Sequence, residues 1–233
     1  MVVAPTGREL GGLRPSLDGT GLAAAVVGLG RQSADELRRL LPAHRPGALV
    51  SLGFAGGLDP ALQCADLVIC SRTAACNGGV PCPADARLLE VASALLKELS
   101  LPHRWDDLLT VPEVLLEPRE KERAYSETGA AVVDLEGHWM AMEAQQAGVP
   151  FLSLRAVLDP QRERLPGLVR EIVAAGGRGE FWRSLRYAAL RQWQTPRLAL
   201  LAWQSRRAAS ALRQVAMRLL PIMAEQLAQD GSH

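Results

Sequence analysis

The sequence predicts an α/β fold in which a largely parallel or mixed sheet is covered by helices on both faces. Three observations carry that prediction. Apolar strand-like runs alternate with helix-patterned segments through the first 160 residues. Several of the runs are apolar almost throughout, as strands buried on both faces are. Glycines cluster where strands end, which is where an α/β sheet meets its ligands. The chain has 233 residues, enough for one such domain with a helical appendix around a single large core. With 48% hydrophobic residues and a net charge of +1, it is not a disordered or acidic tail protein.

In chain order, Val2 and Val3 open a short apolar strand, and Leu22–Gly28 and Ala48–Gly53 read as further strands. Between these two the pattern predicts a helix. Ser33 would cap it, Glu36 would complete a capping box, and Pro42 and Pro46 would close it. Asp66–Cys70 is the next strand, and Ala84–Leu99 has helical spacing that stops before Pro102. Asp107–Val111 and Ala130–Asp134 are strand candidates. Gly137–Ala147 is a helix ended by Gly148, and Val149–Val157 is a strand apolar except at Ser153 and Arg155.

No run of about 18 uncharged apolar residues is present to span a bilayer. The first residues lack the basic and apolar regions of a secretion signal, so a cytoplasmic location is expected. Cys64, Cys70, Cys76 and Cys82 recur every six residues. Zinc sites use closer pairs, so these are read as reduced, structural cysteines, with no metal and no cofactor.

Two glycine runs mark where a ligand could approach. Gly28-Leu29-Gly30 follows a strand, but Ser33 stands at the third glycine position of a dinucleotide fingerprint, which makes a Rossmann reading weak. Ser51–Pro60, SLGFAGGLDP, is the stronger run; Gly53, Gly56 and Gly57 could let backbone meet a ligand, with Gly53, Phe54, Ala55 and Gly56 the candidate binding residues, or the run could simply form a tight turn. Further along, VVDLEGHWMAMEAQQAGVPFLSLRAVLD delivers Glu136 and Asp159 to the ends of two buried strands. Glu136 could equally be the first-turn acid of a helix, favoured by the macrodipole. His138 could relay a proton or lie on a helix surface.

Taken in order, GLG, LGFAGGLDPALQCADLVI and the segment from Val132 to Asp159 resemble the superfamily of purine nucleoside phosphorylases and methylthioadenosine/adenosylhomocysteine nucleosidases. The most specific part is Leu135-Glu136 followed by Arg155-x-x-x-Asp159. The resemblance covers roughly residues 1–160 and implies a three-layer αβα sandwich with a central mixed sheet. It implies roles as well. Asp159 would be the acid that protonates purine N7 as the ribose becomes oxocarbenium-like, and an aspartate there favours adenine. Glu136 would hold the ribose hydroxyls, with Leu135 in place of the usual methionine beside the sugar. Glu9 would orient water, or else be a surface loop acid, and Arg155 would pair with that region. If Arg8, Arg31 or Arg155 bound phosphate instead, phosphate would be a co-substrate and the reaction phosphorolysis. Leu158 stands where the family commonly has a serine that orients the acid.

Residues 161–233 are expected to form a basic helical extension packed on the core of residues 1–160. From Arg178 to Arg218 there are nine arginines and one acid, Glu180, with Trp182, Trp193 and Trp203 interleaved. Two or more amphipathic helices are expected. Their basic face is either simply solvated or meets an anionic membrane, giving peripheral attachment at the inner membrane surface. Nucleic acid is not an expected partner, because the rest of the chain is not basic. Core and tail together resemble the hopanoid-associated branch of the superfamily, which implies adenine release from adenosylhopane to leave ribosylhopane. The family also implies a homodimer or larger homo-oligomer. A non-catalytic nucleoside- or lipid-binding protein with the same fold is the alternative.

Overall fold

In the computed structural model, β1 (Val2–Ala4) is flanked by parallel β2 (Ala24–Val26) and parallel β3 (Leu49–Gly57). Residues 1–7, 9–10, 22–167, 169–170, 173 and 196–230 are described. Strand β3 pairs parallel with β8 (Phe151–Asp159), which pairs antiparallel with β4 (Leu67–Ala75). Next to β4 runs parallel β6 (His103–Thr110), then parallel β7 (Val132–Asp134), and β7 returns antiparallel to β3. Strands β3, β8, β4, β6 and β7 therefore form a closed circuit. Ala55, Val157, Val68, Cys70, Leu108 and Val132, drawn from all five strands, pack together within one cluster. The two-residue strand β5 (Cys82–Pro83) adds to β4.

Side chains alternate between the two covered faces, as the period of a strand requires. Val3, Leu49 and Phe151 pack with Leu37 and Leu41 of α1 (Gln32–His44) and with Met140, Ala141 and Ala144, which belong to a later helix, Gly137–Gln146. On the opposite face Val2, Ala4, Val50, Leu52, Leu152, Leu154 and Ala156 pack with Leu88, Ala92, Leu95 and Leu96 of α2 (Ala86–Glu98). That cluster is completed by Ala208, Leu212, Val215, Ala216 and Leu219 of the long C-terminal helix, Pro196–Asp230. Helix α3 (Pro118–Thr128) sits at the end of the sheet, with Ala124 and Tyr125 against Leu58, Leu109 and Val133. The two remaining helices are α4 (Gly137–Gln146) and α5 (Pro196–Asp230). The expected α/β architecture with a mixed sheet and a C-terminal helix is what the chain adopts.

Several boundaries differ from the sequence reading, for local reasons. The Ser33 hydroxyl donates to Gly30 O at 2.7 Å instead of accepting from the helix, and Glu36 pairs with Arg39, so no capping box forms. Pro42 lies inside α1, and the helix ends at Arg45, whose φ is 42°. The strand expected over residues 22–28 shrinks to Ala24–Val26, while β3 continues through the glycine run to Gly57. Gly53, Gly56 and Gly57 are therefore strand residues and not a tight turn. An added Cβ at Gly53 would stand 3.2 Å from Arg155 Cζ, so the missing side chain makes room for a buried guanidinium. Helix α3 was not expected from hydrophobic periodicity, because it buries only Lys121; its Glu117/Glu120 capping box, Pro118 and closing Gly129 were its sequence signals. Within the extension, Val169, Arg170 and Val173 are helical and Pro196–Asp230 is one long helix; Arg178 to Arg191, Trp182 and Trp193 lie outside the described residues.

Candidate active site

A cavity opens where the ends of β1, β3, β6, β7 and β8 meet α3. Glu9, Phe54, Ala55, Gly56, Leu135, Glu136 and Asp159 line it, as do Lys121 and Asp134. Six of these nine were candidates on sequence with Leu135 the seventh; Lys121 and Asp134 were missed. Gly53 and Arg155, also expected there, are not among the lining residues.

Asp134 explains how Glu136 comes to face the cavity. Its carboxylate accepts from the backbone N–H of Gly137 at 2.9 Å and of Glu136 at 3.3 Å, so it caps the start of α4. It also accepts from the Thr110 hydroxyl at 2.7 Å and from Arg155 Nη2 and Nε at 2.8 and 3.1 Å. The helix N-terminus is thus satisfied by Asp134, and Glu136 makes no side-chain capping bond. Instead Glu136 is buried, and among the described residues its Oε2 has no hydrogen-bond partner. Burial and the nearby Asp134 charge push the Glu136 pKa well above the usual carboxylate range.

Arg155 corrects the expectation of a catalytic arginine. Its side chain is fully buried and forms an ion pair with Asp134, and its Nη1 also donates to Ser51 Oγ at 3.1 Å, Ser51 O at 3.3 Å and Leu154 O at 3.2 Å. Arginine's fork is spent inside the strand circuit. Arg155 acts on the site by fixing Asp134 and by favouring the charged forms of Glu9 and Glu136.

Glu9 is a buried loop residue, not a surface acid. Its Oε2 accepts from Thr6 N at 3.0 Å and from the Thr6 hydroxyl. Burial raises its pKa to about 7, against the opposing pull of the Thr6 bonds. Asp159, at the end of β8, is raised by burial to about 6, with Lys121 opposing the shift. Lys121 Nζ donates to Asp159 Oδ2, and to the carbonyls of Pro160 and Glu163, each at 3.0 Å. Apart from Thr6, the rest of the cavity wall is apolar, including Leu29, Val111, Val114, Leu158, Leu165, Val169 and Leu201.

His138 is neither a relay at the cavity nor a surface residue. It is buried, with Nδ1 3.2 Å from Thr73 O and its backbone N–H donating to Thr110 Oγ1 at 2.9 Å; burial lowers its pKa. Arg31 lies over the Trp139 ring at 4.0 Å. All four cysteines are free, with Cys70 and Cys82 buried, Cys64 half-buried and Cys76 exposed. Burial pushes the Cys64 thiol up to about 11 and that of Cys70 to about 12, far from a reactive thiolate. Among the described residues no group of three or more potential ligands could hold a metal ion, and no helix is long and apolar enough to cross a membrane.

The fold is shared with solved nucleosidases. A 5′-methylthioadenosine/S-adenosylhomocysteine nucleosidase from Campylobacter jejuni matches with a TM-score of 0.66 at 15% identity, covering 94% of this chain and 98% of that one. An S-adenosylhomocysteine nucleosidase from Streptococcus pyogenes gives 0.69 at 16%, covering 94% of each. A futalosine hydrolase mutant from Helicobacter pylori gives 0.63 at 16%, covering 80% of this chain and 97% of that one. At these identities the likeness is one of fold. The family description "Phosphorylase superfamily" matches residues 5–175, most of the α/β core and every residue of the cavity wall except Leu201. The chain belongs to the phosphorylase superfamily.

Proposed function

We propose that the chain is a hydrolytic nucleosidase that releases adenine from adenosine bearing an apolar 5′ substituent. The observation that carries this reading is the buried, unpartnered Oε2 of Glu136 on the same apolar cavity as Asp159. A buried carboxylate oxygen without a partner costs on the order of 1–3 kcal/mol or more, a cost that a ligand hydroxyl removes. Vicinal ribose hydroxyls supply such donors. Asp159, as a carboxylic acid, gives its proton to purine N7. The bond from C1′ to N9 then breaks, with its electron pair passing into the base. Water adds to C1′ and its proton goes to Glu9, leaving adenine and the 5′-substituted ribose.

Three features support the choice of hydrolysis and of substrate. Among the described residues on the cavity wall Lys121 is the one cation, beside four acids, and its N–H groups already meet three oxygens, so this part of the wall offers a phosphate dianion little; Arg8 lies outside the described residues. Glu9, with its pKa near 7, is poised to take a proton from water at neutral pH. The wall formed by Val114, Leu158, Leu165, Val169 and Leu201 suits an apolar substituent. Adenosylhopane, converted to ribosylhopane, is the substrate that the hopanoid-associated resemblance implies, and this wall fits its chemistry.

The test is adenine release by the full chain, in phosphate-free buffer, from adenosines with 5′-alkyl groups of increasing length. Release that grows by about three- to fourfold in kcat/KM per added methylene is expected, since each buried methylene contributes about 0.8 kcal/mol. Release that requires phosphate would mean phosphorolysis. Tight binding without turnover on every 5′ variant would leave a binding protein.

A further inference from the structure

We propose that Lys121 is the positioning residue of the acid, taking the place of a hydroxyl neighbour that Leu158 cannot supply. This inference rests on the assignment of Asp159 as the acid.

The chain has 26 basic residues, of which only Lys97 and Lys121 are lysines. An ammonium is a compact point charge with three donors, whereas a guanidinium is a broad planar fork. At Lys121 three acceptors are arranged around that point: Asp159 Oδ2, Pro160 O and Glu163 O. The side chain of Lys121 is 1% exposed and that of Asp159 5%. A buried ion pair of this kind is weak evidence for stability, because desolvating both charges offsets most of their attraction. Its geometry does something else. It ties the turn after β8 to α3 and takes up Oδ2, so the carboxyl can turn only Oδ1 to a ligand.

The pair also sets when the acid works. Facing Asp159 are Lys121 from α3 and Glu163 from the turn after β8, with the Cys64 thiol within electrostatic reach from the β3–β4 connection. Glu163 is itself held by Gln204 of α5, and Arg207 of α5 acts on Cys64. Among the described residues Lys121 is thus the cation in contact with Asp159 and Glu163 the opposing anion. As the proton leaves for N7, Asp159 becomes a carboxylate, and an ammonium already in place stabilises that product without reorganisation. Without the ammonium, burial and Glu163 lose their main opposing influence. Asp159 then holds its proton to higher pH but gives it up less readily.

Lys121→Met keeps the aliphatic stem and removes the charge. The titration of the Asp159 carboxyl, followed by carbon NMR in the ligand-free protein and assigned by its loss in Asp159→Asn, is expected to move up by at least one pH unit in Lys121→Met. In the same variant the alkaline limb of kcat/KM for adenine release is expected to move up with it, while kcat at its optimum falls at least tenfold. An unmoved carboxyl titration in a folded Lys121→Met overturns the proposal. So does an unmoved alkaline limb with a proportionate loss of folded protein. If Lys121→Met does not fold, Glu163→Gln gives the opposite sign, a downward move of the Asp159 titration with Lys121 left as the dominant charge; no move there overturns the proposal as well. The NMR reading needs no turnover, so a protein that releases no adenine but shows the shift refutes the nucleosidase reading and leaves the Lys121 pair standing.

Discussion

Asp134 holds the site together at the scale of single residues. One carboxylate caps α4, anchors Thr110 and neutralises Arg155, whose side chain has no access to water. Asp134→Asn keeps the shape and most of the hydrogen bonds but leaves Arg155 buried without a counter-charge. A loss of about 3–5 kcal/mol in unfolding free energy is expected by urea titration. The buried Glu9 also couples stability to pH. The Glu9 pKa rises on folding from its ordinary 4.5 to about 7, so the folded state binds the proton more tightly than the unfolded one. The stability this contributes is fully present below about pH 4.5 and is lost as pH rises through 7. Comparing wild type with Glu9→Gln between pH 4.5 and 8 should show a fall of about 3 kcal/mol that the variant lacks; equal slopes would contradict the assignment. At this scale the sequence was only half legible. Asp159 and Glu136 stood out as acids at strand ends and Glu9 through the family resemblance, and the structure brings them onto one cavity. Asp134 and Lys121 did not stand out. Asp134 reads as the end of a strand, and Lys121 sits among charges that look like a solvated helix face. Arg155 was seen but misplaced, because a sequence shows that a strand carries an arginine and not which way the strand turns it.

At the scale of elements, long apolar runs were readable and short or polar ones were not. Strands β3, β4 and β8 follow from their β-branched and aliphatic composition, though β3 outran its prediction. Its glycines face Arg155, Val133 and Asp159, and strand pairing with β8 outweighs their weak intrinsic preference. Helix α3 was hidden by its polarity. Helix α5 shows the opposite case, a pattern that was legible in kind. Leu212, Val215, Ala216 and Leu219 are buried on the sheet, and the other side exposes Leu200, Trp203 and Met217 among Arg206, Arg207, Arg213 and Arg218. The guanidinium of Arg207 lies over the Trp203 ring at 5.3 Å. We propose that this face rests on anionic lipid, where the ring can enter the headgroup boundary and the arginines meet phosphate. Co-sedimentation with vesicles containing phosphatidylglycerol, absent with neutral vesicles and weakened by Trp203→Ser with Arg207→Ser, is the expected outcome. Equal recovery with both vesicle types would contradict it.

For the whole molecule, the closed circuit of five strands explains why chemistry gathers at one end. Its interior is filled by aliphatic side chains and by the pair of Arg155 and Asp134, so a ligand can be met only at the rim, where β7 and β8 deliver Glu136 and Asp159. Leu201 of α5 reaches the same cavity, so the helix that carries Trp203 on its exposed side also contributes to the cavity wall. A substrate with one end in lipid and its nucleoside at the rim fits that layout. The central claim is that Asp159 is the proton donor for departure of the base. It is tested most directly by adenine release from 5′-alkylated adenosine by wild type and Asp159→Ala under identical phosphate-free conditions. Wild-type release that falls on the order of 10²- to 10⁴-fold in the variant, with the fold intact, is the predicted result; undiminished release by Asp159→Ala would contradict it.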